Sequence, residues 1–320
     1  MQFKVNRLKE IDWSRYVVYI AFVVVFFFLS LWLGGKGFIS VGNMLNIARQ
    51  TTMITIMAVA MTFVIGSAQI DLSIGSVVAL SSLVAALVLR STDNIFLALT
   101  ASILVGFVVG IINGLLVTKL GIPPFLATLG MMGIIKGLGM WITNMAAIVI
   151  LNEKFNFIFG IGNIGGKFPV LIIWMVLFVT YGVILLNKTP FGKKVLATGG
   201  NEIAAMFTGI NTARIRMITF IMSGSFAAFA GILYAGRMQA GRYTFGDGDE
   251  MSTIAAVILG GTSMAGGSGF VIGTLIGSLL MGMINNGLIL GGLNVSQQTI
   301  VRGVIIILAV ALSNVTRKKR

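Results

Sequence analysis

The chain alternates between long apolar runs and short polar connections. An α-helix needs about 20 apolar residues to cross the hydrocarbon core of a bilayer. The pattern therefore predicts ten membrane-spanning helices, at residues 16–33, 47–66, 72–89, 95–117, 123–146, 168–186, 214–236, 251–265, 268–290 and 298–313. The eighth span is the weakest, because Gly260-Gly261 interrupts its apolar run, and the sequence leaves open whether it crosses completely.

Composition supports the same class. The 320 residues are 57% hydrophobic and only 10% charged, whereas soluble domains are about 25% charged. A water-facing surface could not be covered by so few charges, so we predict one all-α membrane domain over residues 1–320. The net charge of +14 could indicate nucleic-acid binding, but the basic residues flank apolar runs. This arrangement is typical of the positive-inside bias, and no nucleic-acid partner is predicted.

The distribution of Lys and Arg also predicts orientation. With the N-terminus in the cytoplasm and ten crossings, the cytoplasmic segments hold most of the Lys and Arg residues. Both termini are then cytoplasmic in a multi-pass protein of the cell membrane. The first apolar run follows a basic start, as in a signal peptide, but it is long enough to span and no small-residue cleavage site follows it. It is therefore predicted to remain as the first helix.

Small residues recur every fourth position in several spans, as in Gly106, Gly110 and Gly114 of the fourth. This spacing allows helix backbones to approach closely in lipid. The segment Asn113-Gly114 of the fourth span resembles Asn286-Gly287 of the ninth, and the two spans run in opposite directions. An inverted repeat pairing spans 2–5 with spans 7–10 would explain the similarity; chance in a Gly- and Ile-rich chain is the alternative.

The longest polar connection, residues 187–213, contains a predicted short helix. Asn201 can cap its start, and Gly209 can end it in a left-handed conformation. Ile203, Met206 and Phe207 fall on one face. That apolar face fits either a groove on a partner protein or the ends of this chain's own helices.

Two breaks at membrane depth are candidates for the transport pathway or its gate. Gln69, Asp71 and Ser73 lie between spans two and three, and an intramembrane carboxylate is a functional candidate by default. Asp71 could equally cap the third span. Gly260 and Gly261 form the second break, since non-helical backbone at this depth must be buried or line a wet cavity.

Four stretches together resemble the permease subunits of ribose-type ABC importers. They are 199–211 (GGNEIAAMFTGIN), 70–76 (IDLSIGS), 254–267 (IAAVILGGTSMAGG) and 273–277 (GTLIG). Ala68-Gln69 and Ser268 depart from the pattern, where relatives often have two Gly and a Lys. The resemblance implies a fold like that of cobalamin-type (type II) importer permeases. It also implies a pore built from two permease subunits, here taken as a homodimer, a cytoplasmic ABC ATPase and an extracytoplasmic sugar-binding protein.

In that family the loop between spans six and seven docks in a cleft of the ATPase. The matching positions here are Gly199, Gly200, Asn201, Glu202, Ala204, Ala205, Phe207 and Gly209. A sugar pathway also needs amide groups, which makes Asn113, Asn285 and Asn286 candidates; interhelical hydrogen bonding is their alternative role. Lys136 lies deep in the fifth span without a sequence partner, and Arg302 lies near a membrane surface.

These features predict a transport subunit for a monosaccharide, ribose in the first place, and not an enzyme. The chain has no Gly-x-x-x-x-Gly-Lys-Ser/Thr loop, so ATP and Mg²⁺ would be bound by the partner ATPase and no cofactor by this chain. It has no Cys or His, which excludes Cys/His metal sites. The rival is a secondary sugar transporter driven by an ion gradient, but such proteins usually carry several intramembrane acids, and only Asp71 is predicted here.

Overall fold

The computed structural model describes residues 13–318, with side chains from Val18 to Ile305 and at Ile307. Part of the predicted positive-inside pattern lies outside these residues, at Lys4, Arg7, Lys9, Lys319 and Arg320.

Helices dominate the described residues. In chain order they are α1 (Trp13–Leu33), α2 (Val41–Gly66), α3 (Ile74–Thr92), α4 (Ile95–Thr118), α5 (Pro124–Thr143), α6 (Glu153–Asn156), α7 (Val170–Lys188), α8 (Pro190–Gly200), α9 (Glu202–Phe207), α10 (Thr212–Met238), α11 (Asp249–Leu259), α12 (Val271–Leu290) and α13 (Val295–Lys318). Four two-residue strands form two antiparallel pairs, β1 (Ile148–Val149) with β4 (Ala240–Gly241) and β2 (Asn163–Ile164) with β3 (Phe168–Pro169).

The predicted all-α membrane fold is confirmed. Eight helices, α1–α5, α7, α10 and α12, are long and apolar enough to cross a membrane, and α13 has 24 residues. The second span begins earlier than predicted, at Val41, because the Ser40 hydroxyl accepts a hydrogen bond from the Asn43 N–H at 3.3 Å and caps the helix there. Polar residues of that first turn concealed the start from a hydropathy pattern.

The two ends of the bundle can be named by residues that lie there. The Gly66 end contains the end of α2 and the start of α10, joined by Ser67 and Thr219, whose hydroxyl oxygens are 3.4 Å apart. The Met238 end is the opposite one, where α10 ends after 27 residues. The chain returns to the Gly66 end by Gly267, whose N–H donates to the Gly66 carbonyl at 3.0 Å.

The crossing between Met238 and Gly267 is not the continuous helix predicted at 251–265. Residues 239–248 first run along α3, with Gly241 against Ser82 and Gly246 against the carbonyl of Gly75. The eleven-residue α11 then completes the passage; alone it would span only about 16 Å. Non-helical backbone is tolerated at this depth because it is packed against protein. Eight helices of the described residues have the length and apolarity of a membrane span, and ten crossings, counting this passage and α13, stays a prediction.

Helix packing follows the predicted inverted repeat. Pairing α2 with α10, α3 with α11, α4 with α12 and α5 with α13 maps one set of contacts onto the other. In the first repeat α3 packs on α4 and on α5, and in the second repeat α11 packs on α12 and on α13. Likewise, α4 packs on α10, the central helix of the second repeat, and α12 packs on α2, the central helix of the first. Helices α2 and α10 touch each other and take equivalent places at the centre of the bundle.

The predicted small-residue contacts hold α4 against α10. A side chain at Gly106 would collide with the Gly224 carbonyl, and one at Gly110 with the Phe220 carbonyl. On α12, Gly273 and Gly277 meet the backbone of α11 in the same way. Without a hydrophobic driving force between helices in lipid, such close backbone approach is a main source of packing energy.

Candidate functional site

The structure contains the predicted short helix as α9, and residues of the local sequence determine where it begins and ends. The Asn201 side chain accepts the Ala204 N–H at 3.0 Å and caps the start. After Phe207 the N–H of Gly209 bonds the Met206 carbonyl at 2.9 Å. Gly209 has φ +82°, the left-handed conformation predicted for it.

The apolar face of α9 is not covered by the rest of the described chain. Phe207 is 88% exposed, Ile203 64% and Met206 51%, whereas Ala205 is buried underneath. The sequence left two roles open for this face, docking in a groove of a partner or packing on the ends of this chain's own helices. The exposure of these three side chains is inconsistent with the second role. Their face remains available to a partner.

Glu202 fixes α9 to the central helix α10. Both carboxylate oxygens accept hydrogen bonds from the Arg216 guanidinium, at 2.6 and 2.7 Å. Bidentate Arg–carboxylate pairs add geometric definition to charge attraction. Thr212 adds a further hydrogen bond to the same carboxylate at 3.3 Å. A displacement of α9 is therefore expected to act directly on the start of α10.

The end of α8 packs closely against the two membrane breaks through glycine residues. A side chain at Gly199 would collide with the Gly66 carbonyl and approach the Gly267 N–H, and one at Gly266 would meet Ala68. Gly266 and Gly267 have φ +82° and +76°, where L side chains are strained. The segment 199–200, the end of α2 and the loop before α12 thus meet with backbone against backbone.

Asp71 lies at the centre of a buried hydrogen-bond network. One carboxylate oxygen accepts from the Ser73 N–H at 2.9 Å and the Ser73 hydroxyl at 2.7 Å. The other accepts from Ser223 of α10 at 2.7 Å. Asn113 of α4 donates to the Ser73 hydroxyl at 2.8 Å. No side chain caps an N–H of the first turn of α3; the Asp71 carboxylate instead forms a turn with Ser73, the residue before α3, and this turn is linked to α4 and α10.

Gln69 belongs to the same buried region but bonds only locally. Its amide nitrogen donates to the Ala68 carbonyl at 2.9 Å. The side-chain oxygens of Gln69 and Asn113 are buried and have no hydrogen-bond partner within the described residues. Buried acceptors without hydrogen-bond partners are costly.

The structure does not bring the other pathway candidates to this network. Asn286 lies towards the Met238 end and exchanges two hydrogen bonds, of 3.0 and 2.9 Å, with Asn43 at the start of α2. This is the interhelical role that the sequence left open. Its neighbour Asn285 faces elsewhere and accepts a bond from Arg302 at 3.3 Å. Gly260 and Gly261 lie at the Gly66 end, where Gly260 packs on the backbone of Gly273.

A cavity of about 280 Å³ opens between α2, α10, α11, α12 and α13. Asn285 and Arg302 line it, so neither of these sequence-selected residues simply faces lipid. Its other polar lining groups are Gln50, Thr51, Tyr234, Arg237, Asp249, Ser252 and Gln298. Within the described residues no group of three or more carboxylates is placed to hold a metal ion.

Comparison with known proteins assigns the chain to a family. Residues 43–310 match the family described as branched-chain amino acid transport system / permease component. The chain belongs to this permease family. It is 40% identical over 281 residues to the ribose import permease of Escherichia coli strain K12, covering 87% of each protein.

Two further relatives extend the comparison. The ribose import permease of Bacillus subtilis strain 168 is 42% identical over 279 residues, covering 87% of this chain and 85% of the relative. The L-arabinose ABC transporter permease of Azospirillum brasilense is 35% identical over 309 residues, covering 96% and 89%. No solved structure matches the chain, so the likeness to cobalamin-type importer permeases stays a prediction.

Several polar contacts of this permease were missed from the sequence. Lys136 has a partner, Asp247 of the segment before α11, with nitrogen–oxygen distances of 2.9 and 3.0 Å. Tyr234 donates to Asp249 at 2.6 Å. The acidic cluster 247–250 at the edge of a predicted span was the available signal. The position of Tyr234, in an apolar helix, gave none.

Proposed function

We propose that the protein is the membrane-spanning permease subunit of an ABC importer that carries ribose into the cytoplasm. The observation that carries this proposal is the similarity to ribose import permeases, at 40% and 42% identity over most of both chains. The L-arabinose permease at 35% identity supports the wider class of monosaccharides. The permease itself would catalyse no bond chemistry and would alternate between states of different access.

Such a subunit works with an ATPase and a sugar-binding protein. We assign the contact with the ATPase to α9, because this capped helix exposes an apolar face and is not one of the helices that could span the membrane. A groove on the ATPase that accepts Phe207, Ile203 and Met206 would be the helix-in-groove mode of recognition. ATP and Mg²⁺ would be bound by that ATPase. A second copy of the chain completes the proposed importer as a homodimer.

The proposal fixes an orientation. The Gly66 end, which carries α8 and α9, faces the cytoplasm together with both termini, and the Met238 end faces outward. The chain has no Cys, so single cysteines report sidedness without background. A Thr208→Cys protein in sealed cells should react with membrane-impermeant maleimide only after permeabilisation, and Ser91→Cys should react at once. The opposite pattern would reverse the assignment.

Uptake by the reconstituted importer tests the function itself. Proteoliposomes containing the permease, its ATPase and its binding protein should accumulate radiolabelled ribose only with internal ATP. Uptake should persist when an ionophore collapses the proton and sodium gradients. Loss of uptake with the ionophore, in the presence of ATP, would instead support the secondary transporter. L-arabinose and glucose as competitors define the range of accepted sugars.

A further inference from the structure

We propose that the sugar crosses the membrane along an open face of the bundle that carries Lys136, Asp247 and Glu250, and that the same face of a second subunit forms the opposite wall. This inference rests on the proposed function and names the residues that line its path. The first observation is the ion pair between Lys136 and Asp247, with a nitrogen–oxygen distance of 2.9 Å and side chains that are 40% and 44% exposed.

The pair lies near the middle of the membrane-spanning bundle. Gly246, next to Asp247, packs against the carbonyl of Gly75 near the start of α3. Asp71, just before that start, accepts a hydrogen bond from Ser223, which is close to the midpoint of the 27-residue α10. At about 1.5 Å per residue α10 is about 40 Å long, so Asp247 lies roughly 20 Å from either end of it.

Half-exposed charges at this depth indicate water beside them. A charged side chain that faces the hydrocarbon centre is costly, and ionisable groups there usually face a water-filled cavity and mark a substrate pathway. Helix α4 shows what a surface suited to lipid looks like, since every exposed side chain from Ile103 to Leu115 is apolar. The surface that carries Lys136 and Asp247 is of a different kind.

Glu250 adds a second carboxylate to this face. A side chain at Gly75 would collide with the Glu250 carboxylate, and Glu250 is close enough to Asp247 for their charges to interact. It is partly exposed and forms no ion pair within the described residues. A carboxylate has about four acceptor sites, more than the neighbouring backbone N–H groups use. Glu250 therefore keeps acceptor capacity for a ligand.

The face is bordered by equivalent helices of the two repeats and has no opposite wall within the described residues. Lys136 belongs to α5. On the other side Arg302 of α13 lies 3.8 Å from where a side chain at Gly248 would begin. Beside Lys136, side chains at Gly133 and Gly137 would meet no protein atom. A wet path must be closed against lipid, and a second copy that presents the same face across a two-fold axis closes it.

The chemistry of the lining suits a neutral polyol. The carboxylates of Asp247 and Glu250 accept hydrogen bonds from sugar hydroxyls, and the Lys136 ammonium donates to them. Because two carboxylates outnumber one ammonium group, an anionic sugar phosphate would meet net repulsion at this level. The path therefore favours the unmodified sugar.

Cysteine accessibility tests the location of the path. The chain has no Cys, so Gly133→Cys reports on this face, and Leu104→Cys is its control, because Leu104 is 55% exposed on the apolar side of α4. In the assembled importer in nanodiscs, a water-soluble thiosulfonate should modify Gly133→Cys at least about tenfold faster than Leu104→Cys, because the reactive thiolate forms in water. Labelling is read on the permease by mass spectrometry. Equal, slow labelling of both would refute the path.

Uptake tests the role of Glu250. In proteoliposomes with the ATPase and the binding protein, Glu250→Gln should lower the maximal rate of ATP-driven ribose uptake roughly tenfold, because an amide replaces a charged acceptor. Glu153→Gln, which changes an exposed acid of α6, should transport like wild type. Both variants should keep the melting temperature and ATPase affinity of the wild type. Normal uptake by Glu250→Gln would refute its role as an acceptor for the sugar.

The two measurements also separate this inference from the proposed function. If ATP-driven ribose uptake occurs while Gly133→Cys stays as unreactive as Leu104→Cys, the path assignment is wrong and the proposed function stands. If Gly133→Cys is reactive but the complete importer takes up no ribose, the substrate named in both proposals is wrong. With both correct, modification of Gly133→Cys by a bulky thiosulfonate should block uptake in proportion to the labelled fraction.

Discussion

Replacing Phe207 by alanine tests the docking role of α9. The side chain is 88% exposed, so its removal should change the free energy of unfolding of the permease by no more than about 0.5 kcal/mol. The effect on ATPase binding should be much larger. An aromatic side chain buries about 150–250 Å² in an interface. At about 25 cal/mol per Å², newly covering most of that area contributes about 3–5 kcal/mol as an upper limit.

Binding of the ATPase to permease in nanodiscs, measured by surface plasmon resonance, gives the relevant quantity. Truncating a buried aromatic anchor typically weakens binding by about 2 kcal/mol or more, so Kd should rise about thirtyfold. Phe96→Ala is the matched control, because Phe96 is 78% exposed at the opposite end of the bundle. The reasoning is refuted if Phe207→Ala binds the ATPase like wild type, or if Phe96→Ala weakens binding equally.

Three further substitutions probe the fold and helix α9. Gly209→Val should strain the left-handed turn at φ +82° by at least about 1–2 kcal/mol, which would appear as faster hydrogen exchange in α9 and weaker ATPase binding. Gly106→Leu should lower the melting temperature by several degrees, because a side chain there meets the α10 backbone, whereas Gly130→Leu has open space and should not. Lys136→Met should cost at most about 1 kcal/mol, since both partners of its pair are about 40% exposed. Exchanging the charges of Lys136 and Asp247 should recover whatever stability the single change loses.

The sequence predicted features whose causes are local. The spans follow from apolar runs, and α9 follows from Asn201, its apolar spacing and Gly209, all within nine residues. The inverted repeat was visible only as a short similarity between the fourth and ninth spans. The packing pattern supports it because the paired helices make equivalent contacts within the bundle.

Features that depend on distant residues could not be predicted in the same way. The partner of Lys136 is 111 positions away, and no local pattern connects them. The eighth crossing was predicted from the Lys/Arg bias, although Gly260-Gly261 interrupts its apolar run. The first part of the passage is instead a non-helical segment, mostly turns, that packs along α3, and non-helical backbone is tolerated at this depth only where protein covers it. The cavity likewise combines residues from five helices.

Helix α9 and the buried Asp71 network both contact the same helix, α10. Glu202 of α9 accepts two short hydrogen bonds from Arg216 of α10. Ser223, seven residues later on α10, donates a hydrogen bond to Asp71. Seven residues are about two turns, so both contacts lie on one face of α10. A rigid shift of α9 would therefore move the Ser223 hydroxyl relative to Asp71. Since Asp71 organises the start of α3, a partner that pulls on α9 would act on the membrane break without touching it.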